Sequence, residues 1–191
     1  MDSSRKLGWS KLLAKYDRYL ILILFVVIST LMSDKFFTVV NISNLLKQNA
    51  AVGIVAMGEF IVILTGGIDL SLGGITSLCC IVCALLLKAE IAWPVAAIIS
   101  IMSGIMAGAI NGSLIAFFKI VPFVVTLATY NIFAGLALLL SKGRQIFFTA
   151  DTFFSISTLT YWMFPLIAII WFAVAYLTHF MLNKTPTGRY I

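Results

Sequence analysis

Residues 93–118, WPVAAIISIMSGIMAGAINGSLIAFF, contain no Asp, Glu, Lys or Arg. About 20 apolar residues in a helix cross the roughly 30 Å hydrocarbon core of a bilayer, so this stretch is long enough to span one. Similar runs recur at about Tyr19–Met32, Asn49–Leu64, Leu70–Leu87, Phe123–Leu140 and Tyr161–Leu182. The 191 residues are 62% hydrophobic and 10% charged, with mean hydropathy +1.10. A soluble domain carries about 25% charge. It also leaves roughly a third of its unfolded surface in water, which this composition cannot cover with polar groups. The solvent for most of this chain is lipid.

The pattern predicts an all-α fold, a polytopic transmembrane bundle of about six spans. Residues 1–18 form a basic N-terminus, 19–182 the membrane domain and 183–191 a polar, basic tail. The start resembles a signal peptide, but Leu31-Met32-Ser33-Asp34-Lys35 offers no small-x-small cleavage site, so the first run reads as an uncleaved span. With six spans and a cytoplasmic N-terminus, Arg5, Lys6, Lys11, Lys15, Arg18, Lys119, Lys184 and Arg189 fall inside. Lys35, Lys47, Lys88, Lys142 and Arg144 fall outside. The bias has the sign of the positive-inside rule and rests mainly on the N-terminal cluster. The net charge of +6 does not indicate nucleic acid, because the basic residues sit at the ends of apolar runs and not on one face. Asn41, Ser43 and Asn44 are candidate caps for the second helix.

Soluble-enzyme chemistry has little to stand on. Cys79, Cys80 and Cys83 share one apolar run, and the only histidine, His179, lies far along the chain. They read as small helix residues and an interfacial imidazole, with no metal site expected. No HExxH, GxSxG or Walker loop occurs. No catalytic residue and no bound cofactor are expected.

The informative residues interrupt the apolar pattern. The stretch GEFIVILTGGIDLSLGG, 58–74, sets two carboxylates, Glu59 and Asp69, and five glycines among greasy neighbours. Gly66 and Gly67 free the backbone from helix near 65–71. Asp69 or Ser71 can then cap the next helix. Equally, a broken helix exposes backbone polar groups that lipid tolerates only against protein or a wet cavity, and such breaks line substrate paths. The two readings are compatible. Glu59, near mid-span, is costly in lipid by about 2.5–3.5 kcal/mol, so it belongs in the bundle interior, beside a polar pathway or in a proton or ion site. Gly104, Gly108 and Gly112 recur every fourth residue and suggest a close-packing face, with Asn111 beside it bonding across helices. Thr126, Thr129 and Tyr130 share a helical face, followed by Asn131. The stripe either faces a hydrated interior or bonds its own carbonyls.

VILTGGIDLSLGG, AGAINGSLIAF and IVPFVVTLATYNIFAGLALLLSKG, in this order and spacing, resemble the permease subunits of bacterial ABC sugar importers. That family includes the ribose, xylose, arabinose, galactoside and autoinducer-2 permeases. The resemblance covers Phe37 to the last residue. It implies a pore subunit in the bacterial plasma membrane that carries a monosaccharide. It implies pairing with a second permease subunit, identical or not, and with a cytoplasmic ABC ATPase that holds the ATP and magnesium. It implies delivery by an extracytoplasmic sugar-binding protein. Thr187-Gly188-Arg189-Tyr190-Ile191 resembles the start of the ATPase-docking segment, so Gly188 and Arg189 are expected in coupling. The family's chains are longer, and this one is expected to be a C-terminally truncated form. Glu59 departs from the family pattern, where a neutral residue is usual, so the resemblance implies no ionic role for it. The competing reading is a secondary transporter or channel with Glu59 and Asp69 as ion or proton sites. A membrane enzyme would need paired catalytic groups, which are not seen.

Overall fold

The computed structural model describes residues 3–149 and 151–191, with side chains from residue 16 onward except 152, 157 and 187. The side chains of Arg5, Lys6, Lys11 and Lys15 therefore lie outside the described residues. The chain divides into two units, Met1–Leu46 and Lys47–Ile191.

In the first unit, helix α1 (Ser3–Met32) runs without a break. A turn follows, in which Phe36 N–H donates to Ser33 O and Thr38 N–H to Lys35 O. Helix α2 (Val39–Leu64) then begins. Its start is fixed by Thr38, whose Oγ1 accepts from Asn41 N–H at 3.3 Å, while Asn41 Nδ2 donates to Phe36 O at 2.8 Å. Asn41, Ser43 and Asn44 lie inside α2 and are not its caps. Residues 39–48, between the apolar runs Tyr19–Met32 and Asn49–Leu64, are helix.

The second unit continues through α3 (Leu72–Lys88), α4 (Trp93–Phe118), α5 (Pro122–Ser141), α6 (Asp151–Thr158) and α7 (Leu166–Lys184) to the short α8 (Pro186–Tyr190). The stretch between the apolar runs Phe123–Leu140 and Tyr161–Leu182 thus carries a helix, α6. A two-stranded hairpin, β1 (Thr160–Tyr161) with β2 (Phe164–Pro165), occupies what was expected to be the start of the last span. Pro94 and Pro122 sit in the first turns of α4 and α5, where a missing N–H costs nothing.

The fold is helical, as expected, but six spans are not what the described residues supply. Four helices are long and apolar enough to cross a membrane: α2, α4, α5 and α7. Helix α3 has 17 residues, about 25 Å at 1.5 Å per residue, because the chain becomes helical again only after the break. The apolar stretch of α1, Tyr19–Met32, is likewise shorter than a full crossing.

Helix α3 packs against both α4 and α5. Most of the buried residues there are small: Gly74 on α3, Ala96, Ser100, Ala107 and Asn111 on α4, and Val125, Thr126, Thr129 and Ala137 on α5, beside the larger Leu87 of α3 and Phe133 of α5. Lipid tails are as apolar as leucine, so tight backbone approach, not hydrophobicity, holds such helices together. A Cβ on Gly74 would lie 2.6 Å from Tyr130 O, and one on Gly104 3.0 Å from Cys79 Sγ. Gly53 of α2 is seated against the indole of Trp171 on α7. Most large apolar side chains point outward, as Phe117 and Leu139 do; in lipid that is their solvated state.

The expected glycine face divides. Gly104 meets α3, whereas among the described residues nothing beyond α4's own backbone and chain neighbours lies within 4 Å of a Cβ built on Gly108 or Gly112. Every fourth residue drifts about 40° around a helix. The surface that meets α3 is instead the row Ser100, Gly104, Ala107 and Asn111, with Ser100 Oγ donating to Cys79 O at 2.6 Å.

Two pairs of substitutions test this packing. Gly74→Ala should lower the unfolding temperature in detergent, at an overpacking cost of about 1–3 kcal/mol. Gly135→Ala, with open space around it, should be neutral or slightly stabilising. Gly104→Leu should likewise destabilise the isolated chain, while Gly108→Leu should not.

Candidate functional site

Helix α2 stops at a glycine for a backbone reason. Gly66 has φ +78°, a left-handed value that glycine adopts without a Cβ clash. Gly66 N–H donates to Ile63 O and Gly67 N–H to Val62 O, which satisfies two terminal carbonyls. Residues 67–70 are then neither helix nor strand.

This segment is tied to two neighbouring helices. Asp69 Oδ1 accepts from Ser71 N–H at 2.7 Å and from Ser71 Oγ at 2.6 Å. Ser71 Oγ in turn accepts from Asn111 Nδ2 of α4 at 2.7 Å. Thr126 Oγ1 of α5 donates to Ile68 O at 3.2 Å. Ser71, Asn111 and Thr126 are 0%, 4% and 2% exposed. A carboxylate only accepts, so the Ser71 hydroxyl must donate to Asp69 and take its second bond from an amide N–H. That direction fixes the Asn111 amide, with Nδ2 toward Ser71. Its Oδ1 is buried and has no hydrogen-bond partner.

The geometry corrects the expected caps. Ser71 occupies the N-cap position of α3 with helical angles, φ −77° and ψ −15°, and makes no side-chain cap bond. Its hydroxyl is committed to Asp69 and Asn111. Asp69 closes a turn onto Ser71 and does not reach the first turn of α3.

The remaining candidates separate. Thr129 is buried but bonds its own helix, at Val125 O and Thr126 O. Asn131 is exposed and donates to Leu127 O at 2.8 Å. Of the stripe on α5, only Thr126 therefore bonds across helices. Tyr130 contributes packing: its carbonyl meets Gly74, and its ring lies 3.3 Å from a Cβ built on Gly73. Glu59 is half-buried on α2, its Oε2 enclosed without a partner, and no hydrogen bond joins it to Asp69. Gly188 lies in α8 against the Leu182 carbonyl, its N–H donating to Thr185 Oγ1 at 3.3 Å, and Arg189 beside it is exposed. Sequence reasoning assigned no role to Gly73 and Gly74; the Gly-Gly pair beside the break was their only signal. No sequence signal marked Gly53 with Trp171. Among the described residues no group of three or more His, Cys, Asp or Glu could hold a metal.

A helical membrane bundle with a broken segment bonded to polar residues of its neighbouring helices is an arrangement that membrane transporters also use. The chain belongs to the family described as branched-chain amino acid transport system / permease component, which matches residues 41–191. It is 32% identical to the ribose import permease protein RbsC of Haemophilus influenzae, over 95% of this chain and 57% of that one. It is 35% identical to the D-allose transport system permease protein AlsC of Escherichia coli, over 93% and 55%. It is 34% identical to RbsC of Bacillus subtilis, over 97% and 58%. The chain thus spans a little over half the length of these relatives. No solved structure matches. Family and apolar helices together make it a multi-pass protein of the bacterial inner membrane.

Ser71→Ala removes the hydroxyl that two partners share. It should destabilise the folded chain by about 1–3 kcal/mol, the cost of leaving buried polar groups unpaired. Thermal unfolding in detergent reads this, and Asn131→Ala on the exposed side of α5 should cost little by comparison.

Proposed function

We propose that the chain is part of a permease subunit of an ATP-driven importer, forming part of the path for a monosaccharide. The observation that carries this is similarity to ribose and allose permeases over more than nine-tenths of the chain. The bonded break at 66–71 supports it. Non-helical backbone at membrane depth persists only against protein or water, and here Asn111 and Thr126 supply the protein side.

In this reading the chain catalyses nothing. ATP and magnesium reside on a cytoplasmic ABC ATPase, and a second permease subunit completes the pore. An extracytoplasmic binding protein delivers the sugar. Residues 1–18 lie in the cytoplasm, 19–182 form the membrane domain, and 183–191 begin the segment that docks on the ATPase. Gly188 keeps α8 folded close to the end of α7, which leaves the exposed Arg189 to meet the partner. Glu59 and Asp69, with Asn111 and Thr126, border the passage, and the exposed Gly108 and Gly112 serve a neighbouring helix.

A second reading has an observation of its own: the enclosed, unpartnered Glu59 Oε2 suits a proton- or ion-coupled transporter. Uptake separates the two. Uptake of labelled ribose or allose by the full-length subunit, with its ATPase and binding protein, should stop when the ATPase is inactivated and survive a protonophore. The reverse pattern would favour the second reading, and uptake of branched-chain amino acids in place of sugars would overturn the cargo. Asp69→Ala should cut sugar uptake at least tenfold, because the break loses the acceptor that organises it.

A further inference from the structure

The link between α5 and α7 has the composition of a membrane surface, not of an aqueous loop. Residues 145–165 hold seven aromatic side chains and one charge, Asp151. Apolar surface left in water costs about 25 cal/mol per Å², yet Phe147, Leu159, Tyr161 and Trp162 are 75%, 55%, 82% and 73% exposed. Within the link, Phe153 and Ile156 of α6 meet Trp93 at the start of α4 and Leu166, Ile167 and Ile170 at the start of α7. These six side chains line a groove of about 200 Å³, and none of them is charged.

The depth of the link follows from α7. Its 19 residues extend about 28 Å, close to the roughly 30 Å hydrocarbon core, so Leu166 stands at the edge of the hydrocarbon. Leu166 N–H donates to Leu159 O at 2.9 Å, which ties the hairpin to that edge. Phe164 is two residues from Leu166 and so within about 7 Å of it, and Tyr161 pairs with Phe164. The headgroup layer is roughly 5–8 Å deep on each side. The hairpin therefore lies at headgroup depth. The groove reaches Ile170, one turn into α7, and so lies beside the first part of the acyl chains. Its walls continue into the outward faces of α4 and α7, where Ile101 and Leu177 are exposed to lipid.

We propose that this groove seats one acyl chain of a phospholipid, whose headgroup rests at the level of Tyr161 and Trp162. Tyrosine and tryptophan favour that layer because their rings are apolar while their O–H and N–H reach water. Lipid tails are as apolar as the groove, so the gain is close packing along a fixed, matching wall. A polar cargo would find no hydrogen-bond acceptor among the six lining side chains. The site goes beyond the transport reading. It needs only the bilayer that the apolar helices already require, whichever cargo the subunit carries.

The test uses the full-length subunit in bacterial membrane lipids doped with phospholipids that carry a photoreactive diazirine, either beside the headgroup or partway along one chain. Mass spectrometry of the digested protein reads the labelled positions. The headgroup probe should label Tyr161 or Trp162, and the chain probe Phe153, Ile156 or Ile170. When the protein is moved into detergent before irradiation, label at Ile156 and Ile170 should persist, while label at Ile101 and Leu177 falls about tenfold. Ile156→Asp should remove the persistent label at Ile170, again about tenfold. Equal loss of label at Ile170 and Ile101 in detergent overturns the site, because the groove then holds lipid no better than any outward face. A hairpin that neither probe labels also overturns it, and would assign Tyr161 and Trp162 to water or to a protein partner.

Discussion

Backbone amides in a bilayer have no water to turn to, and residues 66–71 leave the helix among apolar neighbours. The interaction on which the rest depends is the bonding that compensates for this. Gly66 closes the end of α2, Thr126 donates to the Ile68 carbonyl, and Asp69, Ser71 and Asn111 form a directed chain from the break into α4. Each partner comes from a different helix, so the break can be satisfied only where α4 and α5 flank the start of α3. The charge on one end gives the chain its direction, which leaves the Asn111 side-chain carbonyl an unmatched acceptor.

That placement in turn requires close approach. Helix α3 reaches its neighbours because Gly74 meets the Tyr130 carbonyl and Gly104 admits Cys79. In water a core of alanine, serine and glycine would be a poor source of stability. In lipid it is a usual one, because small residues let backbones touch and hydroxyls bond across the gap. Polar satisfaction and small-residue packing are here two aspects of one constraint.

Much of this was legible residue by residue. The apolar runs located α4 and α5 to within a residue or two, and the Gly66-Gly67 pair marked the break. The capping reading failed for a nonlocal reason. Ser71 has the composition and position of an N-cap, but its hydroxyl is claimed by Asn111, which is distant in sequence. The glycine row on α4 meets α3 only at Gly104, because four-residue spacing drifts enough around the helix that Gly108 rotates away from α3. Thr38, not Asn41, Ser43 or Asn44, supplies the side-chain oxygen at the start of α2, although asparagine and serine are stronger cap formers by type. The short helix and hairpin between α5 and α7 have no strong periodicity to announce them.

The sequence by itself determined the solvent, the helical class and the place where helix must fail. Those follow from composition and from the local preferences of glycine and apolar runs. Which polar residues would meet was decided only by tertiary structure. Thr126 and Thr129 are equivalent in type and lie one turn apart; one bonds across helices and the other turns back on its own. The difference is which of them faces the break once α5 lies against α3, and no local preference encodes that contact.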